Sequence, residues 1–302
     1  MTIALPAVTR RTAYVYGLGA CAVAALAIAL RAPLATTVIG LILFGALHNV
    51  LELRYVAGRF AGVLNGRLLW TVLAFITGIV ICRLANLRTA EVLLAYTLVA
   101  FALKGKWRWL GRGGLACLAA VSLTWPAYHF VMLAHLHNVV PLFFLWEWSR
   151  DVPQRALFRA TQLGWVLVIP ALILAGAFDP LLDQSASAVV AFAGDTPSLV
   201  TPPGVTAGLR FLAVFAFLQT MHYVVWIGFF PRYAPEAAAA FEQRVPWLKG
   251  GRAWLLGAGA ALLLGLLFLT DYRQGRTVYQ AFASYHAYLE FPVMLALLLR
   301  RK

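Results

Sequence analysis

The feature that most constrains this chain is a series of apolar runs, many of about 17 residues or more, separated by short basic breaks. About 20 helical residues cross a bilayer core, and inside that core the backbone groups must find their hydrogen-bond partners within the segment. Only 12% of the residues are charged, against roughly 25% in a soluble domain. The pattern therefore predicts an all-α, polytopic transmembrane helical bundle.

We expect about ten spans, within a range of eight to ten. The apolar run 114–148 is too long for one crossing at about 1.5 Å per residue, and Trp125-Pro126 offers a turn that divides it. The predicted spans are roughly 13–30, 34–52, 68–86, 90–103, 114–127, 129–148, 160–178, 207–229, 254–270 and 277–299.

The distribution of charge sets the expected orientation. With ten spans and both termini in the cytoplasm, most of the 25 Lys and Arg residues fall on the cytoplasmic side. The loop 179–206 has three Asp and no basic residue, and then lies outside. Topology thus accounts for the net charge of +14, and no nucleic-acid partner is expected. We predict one integral membrane domain over 1–302, without a soluble domain, in a bacterial inner membrane.

The segment 231–252 is the one sizeable inner loop of this topology. Its Ala-rich centre allows a short surface helix with Trp247 at the membrane interface. A plain connector is the favoured interpretation.

Titratable side chains occur inside the apolar runs, where they are costly. All six histidines fall within or at the edges of predicted spans, and the pattern H-x-x-x-E occurs twice, as His48/Glu52 and His286/Glu290. A spacing of four places both side chains on one helical face. A charged group at the centre of a membrane costs on the order of 2.5–3.5 kcal/mol, so these groups need compensating partners.

The predicted topology brings several of these groups to a similar depth. Four histidines lie on even-numbered spans that run in the same direction: His48, His137, His222 and His286. The tetrapeptide LHNV at 47–50 recurs at 136–139, which favours His137 over His135 as the inward-facing residue. His135 is a second-choice ligand, and His129, at the outer edge, is more simply an interfacial histidine.

Imidazole and carboxylate groups at one depth predict a shared metal site, since both ligate first-row transition metals. A set without cysteine favours iron, as one or two ions, over copper. Glu52 or Glu290 could instead serve as a catalytic base. The candidate ligands are His48, Glu52, His135, His137, His222, His286 and Glu290.

We interpret the chain as a metal-dependent membrane oxidoreductase or oxygenase. Its partners would be the bilayer, a hydrophobic or lipid substrate, and an electron donor at the cytoplasmic face. A b-type haem electron carrier with axial His48 and His222, and a proton-coupled transporter using His and Glu, are the alternatives. The chain has no P-loop, G-x-S-x-G, H-E-x-x-H or Rossmann fingerprint. The histidine boxes of membrane fatty-acid desaturases are also absent, and we assign no family.

Overall fold

The fold was determined as a computed structural model that describes residues 7–62, 64, 66–105, 108–182, 188–194 and 200–299. These residues form helices and turns and no β-strand. They divide into two compact units. Unit 1 comprises Met1–Gly40 and Leu133–Phe229, and unit 2 comprises Leu41–Met132 and Phe230–Lys302.

The α-helices of the described residues are labelled in chain order. They are α1 Ala7–Arg31, α2 Pro33–Arg59, α3 Gly66–Leu84, α4 Arg88–Ala102, α5 Arg108–Thr124, α6 Pro126–Val139, α7 Pro141–Trp148, α8 Arg155–Leu163, α9 Ile169–Leu174, α10 Ala188–Ala193, α11 Gly208–Tyr223, α12 Phe230–Tyr233, α13 Pro235–Arg244, α14 Arg252–Thr270 and α15 Tyr272–Leu299. A π-helical turn, Gly164–Val168, joins α8 to α9, and another, Val224–Phe229, joins α11 to α12.

Proline marks several of the helix starts. Pro33, Pro126, Pro141 and Pro235 each open a helix, because the first helical position needs no N–H donor and the fixed φ of proline suits it. One helix ends at Thr124 and the next begins at Pro126, at the predicted division of the long apolar run. Pro141 adds a second break at Val140, which the sequence analysis did not separate.

Within the described residues, seven helical segments are long and apolar enough to cross a membrane. They are Ala13–Arg31, Pro33–Arg59, Gly66–Leu84, Pro126–Trp148, Arg155–Leu174, Gly208–Tyr233 and Arg252–Thr270. These segments indicate an integral membrane protein. The count of ten, the orientation of the termini and the single-domain assignment stay predictions, and the predicted outer loop 179–206 lies partly outside the described residues.

In unit 1, aromatic packing and one ion pair set the course of the helices. The rings of Phe158 in α8 and Phe229 stack with their centroids 5.7 Å apart. At the other end of this helical pair, the Arg210 guanidinium donates to the Leu174 carbonyl at 3.0 Å and pairs with Asp179. The segment α8–α9 therefore runs antiparallel to α11.

In unit 2, close packing between small residues and large side chains places α2 beside α14 and α15. A Cβ atom at Gly257 of α14 would lie 2.8 Å from the Leu47 side chain, and one at Gly45 of α2 would lie 2.8 Å from the Tyr279 ring. Glycine at these two positions lets the helices approach closely. The face of α2 that carries His48 is thereby held against α15.

The helix α13 packs on the C-terminal end of α2. The Arg244 guanidinium donates to the carbonyls of Ala57 and Leu64 at 3.0 and 2.9 Å, and Arg54 pairs with Glu242 at 2.5 Å. The interpretation of this loop as a plain connector is therefore wrong for 235–244: Pro235 starts the helix, its alanines favour it, and these contacts stabilise it. Trp247 lies beyond it and is 65% exposed.

The contact between α13 and α2 is expected to weaken in acid. The Arg54 guanidinium, which donates a hydrogen bond to Glu242, lowers the pKa of that carboxyl below its ordinary value of 4.5. A lowered pKa in the folded state stabilises the fold above about pH 4.5, and this stabilisation is lost as the pH falls through the lowered pKa. Thermal unfolding of the wild type and Glu242→Gln between pH 7 and pH 3 measures the effect. The wild type should unfold at the higher temperature at pH 7, and the difference should shrink in acid; a difference that persists to pH 3 contradicts the expectation.

Candidate metal centre

Four histidine side chains converge in the structure. Each offers one ring nitrogen, and these nitrogen atoms lie within 4.8 Å of one another; the four residues are His48, His137, His222 and His286. Imidazole nitrogen is a common ligand of iron, copper, nickel and zinc. The cluster is therefore a candidate site for a transition-metal ion.

Within unit 2, the distance between His48 and His286 matches that of two neighbouring metal ligands. Their Nε2 atoms are 3.3 Å apart, and their rings are nearly perpendicular at 89°. Metal–imidazole bonds of about 2.0–2.1 Å place neighbouring nitrogens of a tetrahedral site about 3.3–3.4 Å apart. An ion between these two nitrogens needs little movement of either side chain.

A hydrogen bond to the backbone fixes the tautomer of His48. Its Nδ1 atom lies 3.1 Å from the carbonyl oxygen of Phe44, one turn earlier in α2. A carbonyl can only accept, so the Nδ1–H donates, and in the neutral ring Nε2 then presents its lone pair. Histidine ligands of metals are commonly held in this way by a backbone carbonyl.

The two glutamates lie one helical turn beyond the histidines of unit 2. Glu52 and Glu290 are fully buried and interact directly with each other. The Glu52 Oε2 atom is 4.0 Å from the His286 Nε2 atom. The two H-x-x-x-E turns therefore face each other, with their carboxyl groups beside the imidazoles.

Within unit 1, His137 and His222 form a second close pair. Their ring centroids are 4.4 Å apart with an interplanar angle of 56°. His222 is 1% exposed, whereas His137 is half-buried. His222 is the penultimate residue of α11 and lies just before the π-helical turn Val224–Phe229. Such a local widening of a helix is frequent at functional sites.

The other two histidines, His135 and His129, have hydrogen-bond partners outside the cluster. The His135 Nε2 atom lies 2.8 Å from the Val200 carbonyl, and the ring meets Phe215 edge-on. The His129 Nδ1 atom is 3.1 Å from the Ser122 hydroxyl. Of the seven candidate ligands, four histidines thus meet in the cluster, Glu52 and Glu290 lie beside two of them, and His135 takes a backbone partner.

The sequence analysis did not identify the Phe44 carbonyl as a partner of His48. The signal was present, since the carbonyl four residues before a helical histidine is within reach of its Nδ1 atom. Backbone acceptors do not stand out in a sequence, because every residue has one.

A second polar network in unit 2 is already satisfied by its own members. The Arg83 guanidinium donates to Glu91 and to the Gln280 carbonyl, and the Tyr288 hydroxyl donates to Glu91 at 3.2 Å. This network ties the turn between α3 and α4 to α15. It fits a structural role.

The comparisons with known proteins leave this site to be interpreted from its own geometry. No family model, no curated protein and no solved structure matches the chain.

Proposed function

We propose that this chain is a membrane metalloenzyme that binds a transition-metal ion, with iron preferred, at His48, His137, His222 and His286. The convergence of four imidazole nitrogens within 4.8 Å carries the proposal. In membrane-spanning segments such groups are costly without compensation, and one cation satisfies all four.

The two buried carboxyl groups supply what the imidazoles lack, which is negative charge. Four neutral imidazoles leave the charge of a divalent ion uncompensated, and an uncompensated buried charge is strongly unfavourable. Glu52 and Glu290 lie beside His286 and could together contribute two negative charges when metal binding displaces their protons. We infer that they balance the ion, and that either one could bind it or act as the catalytic base. A second ion at the carboxyl groups is the alternative stoichiometry.

Iron is preferred over the other first-row metals because of this mixed donor environment. Imidazole with carboxylate is typical of non-haem iron sites, whereas soft sulfur ligands favour copper(I), and none of the four clustered residues is a cysteine. Iron would supply the O₂ chemistry of an oxidoreductase. Zinc could only act as a Lewis acid because it has no redox chemistry.

Three of the four ligands, His48, His137 and His222, lie on helices apolar enough to cross a membrane, which supports a lipid-soluble substrate in a membrane that we take to be the bacterial inner membrane. If both atoms of O₂ enter the product, the substrate itself supplies the electrons. If one atom enters and the other leaves as water, two further electrons and two protons are needed. A donor at the cytoplasmic face would then provide the electrons.

The haem alternative is disfavoured by the distances in the cluster. Axial nitrogens lie on opposite faces of a porphyrin, about 4 Å apart, with the macrocycle between them. Four imidazole nitrogens within 4.8 Å of one another occupy the volume that the macrocycle would need. The cluster therefore favours an ion bound directly by the protein.

Elemental analysis of the purified full-length protein tests the proposal. We expect one iron ion per chain, no Soret band, and O₂ uptake when a lipid extract of the host membrane is added. Protein stripped by a chelator should regain the metal and the O₂ uptake on anaerobic addition of Fe(II). Protein that is isolated without metal and takes up neither Fe(II), Cu(II) nor Zn(II) overturns the metal site. A bound stoichiometric zinc ion would overturn only the redox assignment.

A further inference from the structure

Unit 1 contains buried polar atoms that the metal centre does not use. Gln162 is completely buried and Trp165 is 1% exposed. Neither amide atom of Gln162 nor the indole Nε1 of Trp165 has a hydrogen-bond partner among the described residues. Leaving buried donors and acceptors unpaired is unfavourable, so these atoms can take a partner that the described residues do not supply.

The two residues lie three positions apart on one helical segment. Gln162 is the penultimate residue of α8, and Trp165 lies in the π-helical turn Gly164–Val168 that follows. Residues three apart share a helical face. Single π-helical turns are frequent at functional sites.

The antiparallel course of the helices in unit 1 gives the depth of this pair. Phe158 and Phe229 are stacked, and α8 and α11 run in opposite directions from that contact. Trp165 follows Phe158 by seven residues, and His222 precedes Phe229 by seven residues. Each of these seven-residue intervals is part α-helical and part π-helical, so the two span similar lengths. Trp165 therefore lies at about the depth of His222, and Gln162 lies about one turn away.

The chemistry of the pair identifies the group that it would bind. Together the amide and the indole offer three N–H donors and one acceptor, and neither carries a charge. The nearest cation along this helix is Arg159, whose guanidinium donates to the Ser149 hydroxyl and the Trp146 carbonyl. Along this helix a carboxylate or phosphate would therefore find its nearest cation already engaged, whereas a carbonyl oxygen has two lone pairs and can accept one N–H from each residue.

We propose that Gln162 and Trp165 bind the carbonyl oxygen of a neutral, lipid-soluble molecule, such as a long-chain ketone, aldehyde or quinone. The binding stands on the buried, unpaired donors alone. The further step, that this molecule is the substrate of the metal centre, rests on the proposed function. Only the similar depth of Trp165 and His222 connects the carbonyl site with the metal centre.

Infrared spectroscopy of the protein in nanodiscs tests the proposal, with 2-tridecanone carrying a ¹³C-labelled carbonyl as the probe. Ketone dissolved in lipid gives one labelled carbonyl band, and ketone that accepts two N–H donors gives a second band at lower wavenumber. We expect this second band to saturate at one ketone per wild-type chain. Gln162→Leu should weaken the binding about tenfold, the equivalent of one net hydrogen bond, and Trp165→Phe should weaken it to a similar extent.

A metal-free variant separates this proposal from the proposed function. His137→Ala should keep the shifted band, whether or not the wild type proves to be a metalloprotein. Absence of the shifted band from the wild type overturns the carbonyl site. An equally strong band in Gln162→Leu and Trp165→Phe also overturns it, since the ketone would then bind elsewhere. If Gln162→Leu does not fold, Trp165→Phe, which keeps an aromatic ring and lacks the N–H donor, carries the test.

Discussion

Replacing His137 with alanine is expected to remove the bound metal, whereas the same replacement of His135 should leave the metal content near that of the wild type. The two residues are two positions apart on α6 and are both half-buried. His137 belongs to the four-histidine cluster, and His135 lies against the Val200 carbonyl. Loss of a group that merely orients a ligand costs about 10–100-fold in metal affinity, so loss of a direct ligand should cost at least about 100-fold.

The measurement is metal content per chain after gel filtration, with thermal unfolding of both variants as the control for folding. Added imidazole should restore metal binding to His137→Ala, because it can replace the missing ring, and should have no effect on His135→Ala. Wild-type metal content in both variants would show that His137 is not a ligand. Equal loss in both would show that the helix, and not the ligand, had been disturbed.

The contrast between these two neighbours shows what the sequence can resolve. Both histidines lie in one apolar run, and helical periodicity places them on different faces without saying which face is inward. The recurrence of LHNV favoured His137, and the structure places that residue in the cluster. The acceptor of His135 is a carbonyl 65 residues away, and such a long-range backbone contact has no local signature.

The helices were more predictable than the connections. Apolar length alone locates a membrane helix, because the backbone inside a bilayer has few other options, and Trp125-Pro126 divides the long run where one helix ends. The helix α13 was the less favoured interpretation of the loop 231–252, because its stabilisation comes from Arg54 and Arg244. Those contacts are tertiary, and the intrinsic helical preference of a ten-residue segment is marginal without them.

The polar atoms of Gln162 and Trp165 were not singled out from the sequence for a related reason. The sequence analysis weighted groups that can carry charge, because their cost in a membrane is the largest. An amide inside the apolar run ATQLGWVLVIP is a weaker signal, since it is usually satisfied by a neighbouring helix. Only coordinates can show that no described residue provides that partner.

Replacing Gly58 with alanine is expected to destabilise unit 2 strongly. A Cβ atom at Gly58 would lie 2.0 Å from the Ala237 carbonyl oxygen and 3.0 Å from the Phe241 backbone nitrogen. Both are backbone atoms, so no side-chain rotation relieves the overlap, and α13 must move away from α2. The displacement would break the contacts that Arg244 makes with the Ala57 and Leu64 carbonyls. A cost on the order of 3 kcal/mol is expected for an overlap of this kind.

Gly259→Ala provides the matched control, because a Cβ atom at this position in α14 meets nothing within 4 Å. Its unfolding free energy should stay within about 1 kcal/mol of the wild type, the scale of the Gly-to-Ala difference in helix propensity. Trypsin cleavage after Arg244 gives a local measurement, since release of α13 frees that side chain from its two carbonyl acceptors. Cleavage should be fast in Gly58→Ala and slow in the wild type and Gly259→Ala. If Gly58→Ala resists both heat and trypsin as well as Gly259→Ala does, α13 does not pack on α2 at this distance, and the stabilisation assigned to Arg54 and Arg244 must come from elsewhere.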